Sequence, residues 1–333
     1  MERSGSVGRA AERGTRWAYR LAWVLWAVTF PLIWMGGFVT TYNAGMAVPD
    51  WPNTYGYNLF LYPIESWLKT WDIFLEHSHR LIASAAGFVS IALMVILWRT
   101  GSTLLRRLGV VVFILVCVQG IIGGLRVLGQ ELLLANLHGC VAPLFFGLVT
   151  GVVVVTGHAI AGPDQSKGLG EWSLFRGGAA WRFLLVMIIY TQIVIGAQLR
   201  HLPPTLSPQW AFFWTIVHLI FAGLIGVALG IVWWREWREH LSKLLWLKIL
   251  GAIYGVQLTL GLFTWVVNYN FPIWFLNYFL AISYTVVQGG AAQALVTTAH
   301  TATGSLLLAA GVACWLTAGL DGSPQNVRVP SPG

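Results

Sequence analysis

Long apolar stretches alternate along this chain with short connections that are polar, aromatic or basic. A helix needs roughly 20 mainly apolar residues to cross a bilayer. By that measure eight segments qualify, at 19–41, 78–98, 104–125, 135–157, 181–200, 210–233, 244–267 and 291–318. The pattern predicts an all-α polytopic membrane protein. Residues 1–18 read as a basic N-terminal segment, 161–180 as a linker, and 319–333, rich in Pro, Ser and Gly, as a disordered tail. The stretch 268–290 is also apolar. A ninth span there would send the C-terminus to the opposite side, so a re-entrant or interfacial element is expected.

The eight segments divide into two similar sets of four. His79 in the second segment is followed 40 residues on by Gln119 in Val-Gln-Gly-Ile-Ile-Gly-Gly, and His218 in the sixth is followed 39 residues on by Gln257 in Val-Gln-Leu-Thr-Leu-Gly-Leu. The fourth segment of each set then supplies His138 or His300. The spacing predicts two tandem, pseudo-symmetric four-helix bundles, at 19–160 and 181–318, related by an axis along the membrane normal.

Composition agrees with the bilayer reading: 57% of residues are hydrophobic, 10% are charged and 19 are tryptophan. The net charge of +8 would suit nucleic acid if it were clustered on a soluble face. Instead most of the basic residues fall on one side of the predicted spans, namely Arg3, Arg9, Arg13, Arg16 and Arg20, then Arg99, Arg106 and Arg107, then Lys167, Arg176 and Arg182, then Arg235, Arg238, Lys243 and Lys248, while the opposite loops carry little beyond Lys69, Arg126 and Arg200. Positive charge is retained on the cytoplasmic side, so both termini are expected there and no nucleic-acid partner is expected. The first apolar stretch is too long for a cleaved secretory signal and reads as a retained anchor. The short basic start favours a bacterial plasma membrane. Cys117, Cys140 and Cys314 all lie within spans, so no disulfide is expected.

Polar side chains are costly inside a bilayer, so intramembrane histidines point to function. His79, His138, His218 and His300 all sit near the same end of their spans. Two histidines on facing helices can hold haem iron from both sides, which predicts one haem in each half. The residue four positions after each is small (Ala83, Ala142, Ala222 and Gly304), and Gly87 and Gly226 follow at eight, leaving a flat strip on the same helix face. Small residues also serve plain helix packing. Zinc or copper is disfavoured, because no carboxylate or thiolate accompanies the histidines in each half. His77, His158, His201 and His240 lack this symmetry and read as interfacial.

The halves differ in one charged residue. Glu76 lies three residues before His79 on the same helix face, and the corresponding position in the second half is Thr215. This makes Glu76 the candidate catalytic carboxylate and the second half an electron-transfer site. Arg80, Arg126 and Arg200, at the outer ends of spans, are candidates to pair with haem propionates. The first outer loop holds Pro49, Trp51, Pro52, Trp67 and Trp71, which suit an aromatic lid or simple anchoring among headgroups.

Three segments together resemble the haem A synthase family: Gly36-Gly37-Phe38-Val39-Thr40-Thr41-Tyr42-Asn43-Ala44-Gly45-Met46-Ala47-Val48-Pro49-Asp50-Trp51-Pro52, Glu76-His77-Ser78-His79-Arg80, and Gly196-Ala197-Gln198-Leu199-Arg200-His201. The resemblance extends over roughly residues 20 to 317. It implies an oxidoreductase that converts haem O to haem A for a terminal oxidase by hydroxylating the C8 methyl group stepwise to a formyl. It also implies that His79 and His138 flank the substrate haem O, that His218 and His300 ligate a permanent haem b, and that Glu76 is catalytic. Haem O synthase and terminal oxidase assembly factors become candidate partners. Many members carry a cysteine pair in the first outer loop, and Tyr42 to Leu75 has none here. The rival expectation is a dihaem b-type electron-transfer cytochrome, which needs neither Glu76 nor unequal halves. A transporter lacks support from central charges, and prenyl transfer lacks the aspartate-rich motifs that hold magnesium diphosphate.

Overall fold

The computed structural model describes residues 2–161, 174–175, 177–203, 205–238, 244–271 and 286–321. Eight long helices among them are long and apolar enough to cross a membrane. They are α1 (Glu2–Thr41), α2 (Trp71–Thr100), α3 (Thr103–Gly129), α4 (Leu132–Ile160), α5 (Gly177–Arg200), α6 (Pro208–Arg238), α7 (Leu244–Tyr269) and α8 (Ala291–Asp321). The protein is all-α and integral to the membrane.

The helices run past the apolar windows that announce them. Residues 2–18, expected as a separate segment, continue α1, and α2 starts at Trp71, before the expected 78. Hydropathy marks only the stretch in contact with lipid tails, whereas backbone hydrogen bonding carries a helix on into the headgroup layer. Boundaries follow local chemistry instead. Ser102 caps α3 by accepting the Leu105 N–H at 3.4 Å, and Gln130 closes the tight turn into α4 at φ 53°. Pro31 and Pro143 lie inside α1 and α4, as neighbouring helices in a membrane permit. Most of 268–290, the candidate re-entrant stretch, lies outside the described residues, as do most of the linker and the C-terminal tail.

Helices α1 to α4 close a ring by packing of neighbours, α1 against α2 and α4, α3 against α2 and α4. Helices α5 to α8 close a second ring in the same way, and α1, α4, α5 and α8 form the seam between the rings. Helices α4 and α8 are the most enclosed, with 67% of each apolar window buried. Leu25, Leu93, Val112 and Val149 fill the first ring, and Leu185, Ile225, Leu250 and Leu308 fill the second.

A buried ion pair joins Arg182 near the start of α5 to Glu236 near the end of α6, at the opposite end of the second ring from its histidines. Arg182 also donates to the Cys314 carbonyl at 3.1 Å. The charge counted as part of the basic cytoplasmic bias is thus neutralised inside the protein. Removing one partner of a buried pair leaves the other charge stranded, at a cost of about 3–5 kcal/mol. Glu236→Ala is therefore expected to lower thermal stability in detergent well beyond Glu236→Gln, measured by loss of monodisperse protein on heating.

Candidate functional site

The four symmetric histidines form two facing pairs. His79 on α2 and His138 on α4 have ring centroids 6.4 Å apart with planes at 68°. His218 on α6 and His300 on α8 stand 6.3 Å apart at 66°. The two pairs match to 0.1 Å. A metal bonded about 2.0 Å from one nitrogen of each of two opposed imidazoles puts their centroids roughly 6 Å apart. The spacing therefore fits a metal held axially between two rings, as in bis-histidine haem.

The nitrogens support this fit. Nδ1 of all four histidines is buried without a hydrogen-bond partner, a cost of about 1–3 kcal/mol each for an isolated polar group. An imidazole ligates iron through one nitrogen and leaves the other to the protein, so the matched setting of Nδ1 in all four rings marks one shared ring orientation. Among the described residues no cluster of three or more His, Cys, Asp or Glu side chains could hold a metal ion without a macrocycle.

Each ring rests on a glycine of a neighbouring helix, which the sequence reading missed. A methyl group on Gly36 of α1 would lie 3.1 Å from Cε1 of His79, and one on Gly123 of α3 would lie 3.0 Å from Cε1 of His138. On Gly196 of α5 the distance to His218 would be 3.2 Å, and on Gly261 of α7 the distance to His300 would be 3.1 Å. These contacts are tighter than an ordinary side-chain methyl makes. The available signal was a glycine at matching depth in each odd-numbered helix.

The motif Glu76–Arg80 does two jobs. Four of its five side chains hold the loop between α1 and α2. Glu76 is buried and accepts the Val48 N–H at 2.8 Å and Arg80 Nη2 at 2.6 Å. Arg80 also donates to the carbonyls of Val48 at 2.9 Å, Asp50 at 2.7 Å and Asn53 at 2.8 Å. His77 Nδ1 meets the Thr54 hydroxyl at 3.1 Å, and Ser78 accepts from the Trp67 indole at 3.1 Å. Only His79 turns inward to the pair. His77, expected at the interface, is 2% exposed and enclosed by Tyr62 and Trp67.

Within the loop the Asp50 carboxylate accepts N–H groups of Tyr55 and Gly56, each at 2.7 Å. Partial burial raises its pKa, but these donors with the nearby Arg80 charge outweigh that and hold it below the usual carboxylate range. The Trp51 ring lies on Gly124 of α3, where a methyl would come within 2.3 Å of it. Gly124 adjoins the glycine under His138, so the loop covers the first pair. Gly124→Val is expected to displace Trp51 and raise protease sensitivity of the loop, read by limited proteolysis in detergent, while leaving the second pair intact.

The three candidate arginines are placed differently. Four contacts occupy both Nη atoms of Arg80, leaving Nε as its free donor. Arg200 Nη1 donates to the Thr301 hydroxyl, and Nη2 to the Gly37 carbonyl and the Thr41 hydroxyl, each at 2.7 Å. It thereby ties α5 to α1 and α8 without any carboxylate. Arg126 makes no hydrogen bond or ion pair among the described residues, and its Nη2 would lie 2.6 Å from a methyl on Gly45. Among the described residues neither Arg126 nor Arg200 forms an ion pair with a carboxylate, and the Glu76 charge acts on Arg126 without contact.

The surroundings of the pairs are unequal. In the first half, Ala83 and Gly87 line a groove of about 440 Å³ together with Pro52 of the loop and Phe113 and Val116 of α3, and neither His79 nor His138 lines it. In the second, the Tyr254 hydroxyl donates to the Ala222 carbonyl at 2.8 Å and fills the space over Gly226. The expected flat strip is thus open in the first half and covered in the second. Thr215, the counterpart of Glu76, bonds back to the Ala211 carbonyl of its own helix at 2.9 Å. His201 likewise bonds to Ala197 at 2.9 Å, His158 lies in the last turn of α4, and His240 falls outside the described residues.

Fold and site define an integral membrane protein with two half-buried histidine pairs spaced for axial ligation, the first of them in a half whose loop is clamped. Comparison narrows this class. Residues 19–212 match the profile of the cytochrome oxidase assembly protein family, and the chain belongs to that family. It is similar to the haem A synthase of Symbiobacterium thermophilum, 26% identical over 237 residues that cover 64% of this chain and 73% of that protein. It is also similar to the haem A synthases of an Exiguobacterium species, 25% over 256 residues (70% and 77%), and of Geobacillus kaustophilus, 26% over 203 residues (57% and 59%).

Proposed function

We propose that this protein is a haem A synthase, an oxidoreductase that takes haem O from the membrane and oxidises its C8 methyl group to a formyl. The observation that carries the reading is the pair of matched histidine couples at 6.4 and 6.3 Å, in a chain of this family. His79 and His138 would flank haem O in the half at 19–160, and His218 and His300 would hold haem b in the half at 181–318. Haem b would supply one-electron relay. The open groove along Ala83 and Gly87 suits a substrate that enters from the bilayer, and the Tyr254 cover suits a resident group. Both termini would be cytoplasmic, in a bacterial plasma membrane, with haem O synthase and oxidase assembly factors as partners.

The chemistry needs two successive hydroxylations, to an alcohol and then to a hydrated aldehyde that loses water. Each would take its oxygen from water and give up two electrons and two protons, the electrons passing by way of haem b to a membrane electron acceptor outside this chain. Removing electrons from the methyl carbon builds positive charge and releases protons. Glu76, held in place through both oxygens, puts negative charge three residues from His79, where it can stabilise that charge and take up a proton. Arg126 and Arg200 would bind propionates at the outer end. Arg126→Leu is expected to weaken haem O retention roughly tenfold, the effect of losing one charge-assisted hydrogen bond, as measured by haem O titration of purified protein.

The function is tested by expressing the chain in a host that makes haem O but no haem A. Haem A in extracted membranes supports the reading. Haem O unchanged, with the protein folded and haem-loaded, favours a dihaem b-type electron-transfer cytochrome.

A further inference from the structure

The Gln-containing repeat has so far served only as a mark of internal duplication. Its geometry assigns it work. Gln119, Gln192 and Gln257 each precede by four residues the glycine on which an axial histidine rests: Gly123, Gly196 and Gly261. Gln119 Nε2 donates to the His138 carbonyl at 2.9 Å, and Gln192 Nε2 donates to the His218 carbonyl at 2.9 Å. Gln257 lays its amide against Gly304, one turn beyond His300, where a methyl would meet Nε2 at 3.2 Å.

The same turn also faces the ring. Without a side chain at the glycine, the backbone one turn earlier is exposed to the imidazole. The backbone of Gln119 faces His138 and that of Gln257 faces His300, close enough to interact but short of hydrogen-bond geometry, so Nδ1 stays without a partner. A metal-ligating histidine generally gives its second N–H to a carbonyl or carboxylate, which fixes the tautomer and aims the other nitrogen at the metal. At His138 Gln-x-x-x-Gly thus combines an amide that pins two helices together at the level of the ligand with a bare turn that receives the ring; Gln192 shares the amide bond and Gln257 the turn.

His79 departs from this pattern. Its glycine is Gly36, and the residue four positions earlier is Leu32, whose backbone faces the ring but whose side chain has no donor. Among the described residues nothing corresponds to the amide at this ligand.

Resting on the haem reading above, we propose that Gln-x-x-x-Gly is a cradle that retains an axial histidine, and that Leu32 in place of glutamine makes His79 the ligand that releases during substrate exchange. The cradled His138 stays engaged with the substrate site. The resident site has the motif behind both of its ligands, through Gln192 and Gln257.

The test loads the purified protein with haem O and haem b and follows, site by site, their transfer to an excess of apo-globin. In the wild type, haem O leaves the first site faster than haem b leaves the second. Leu32→Gln is expected to slow release of haem O roughly tenfold, and Gln192→Leu to speed release of haem b by a similar factor, as for one buried hydrogen bond gained or lost. Gln119→Leu gives a second reading at His138, with faster release expected. Gly255→Ala, at an α7 glycine with open space around it, controls for helix perturbation and changes neither rate. Release from Leu32→Gln at the wild-type rate overturns the assignment of His79, and retention of haem b by Gln192→Leu overturns the cradle. A wild-type protein that takes up no haem at either pair overturns the functional reading itself, a result distinct from both.

Discussion

His218→Ala is expected to strip the second site of its haem while the first pair keeps its geometry. His218 faces His300 at 6.3 Å on the opposite side of the second ring. Even outer-shell partners of a metal ligand cost about 10–100-fold in affinity when removed, so loss of a ligand itself should exceed that. The absorption bands of a six-coordinate haem are expected to fall by half in a protein loaded at both sites, and added imidazole to restore them in part. On the proposed reading turnover should also drop to background, since the second haem is the proposed electron relay. His300→Ala should behave in the same way, whereas His138→Ala should spare the second-site spectrum.

Glu76→Gln should separate charge from scaffold. Glutamine keeps an oxygen to accept from Val48 or Arg80, whose distances to the native carboxylate are 2.8 and 2.6 Å. The loop is therefore expected to remain in place and both haems to bind. Haem A formation should nevertheless fall by about 10²–10⁴-fold, the range for losing a positioned acid–base group. Analysis of the haem products and limited proteolysis of the loop on the same sample distinguish the two roles. Normal turnover with a closed loop would leave Glu76 as a clamp alone. Lost turnover with an opened loop would assign the defect to the scaffold.

The sequence carried the span count and the histidine pairing because both rest on periodic signals. A span is a run of about 20 apolar residues, and four histidines in repeated positions stand out against a lipid-facing background. What it could not carry depends on contacts between segments distant in the chain. Gly36 and His79 are 43 residues apart, and Gly196 and His218 are 22 apart, so no common spacing announces the rings' supports. The double role of Glu76–Arg80 was hidden for the same reason. Its partners Val48, Asp50 and Asn53 offer backbone atoms, and backbone acceptors leave no trace in residue identity. Arg80 looked like Arg126 and Arg200 in sequence, and only the fold shows its donors committed to the loop.

Arg182 shows the reverse error of a statistical signal. It counts toward the basic bias of one side, yet in the fold it is 2% exposed and paired with Glu236. Charge counting treats each lysine and arginine as solvated. A buried pair contributes nothing to the surface potential that the count represents.

The most direct test of the two-site account is the identity of the pigments in wild-type protein purified from cells that make haem O. The pigments are extracted in acid and resolved by chromatography and mass spectrometry. The account predicts haem B together with haem A or its hydroxylated precursor, with haem B removed by His218→Ala. Haem B alone, at both pairs and despite abundant haem O, would contradict it.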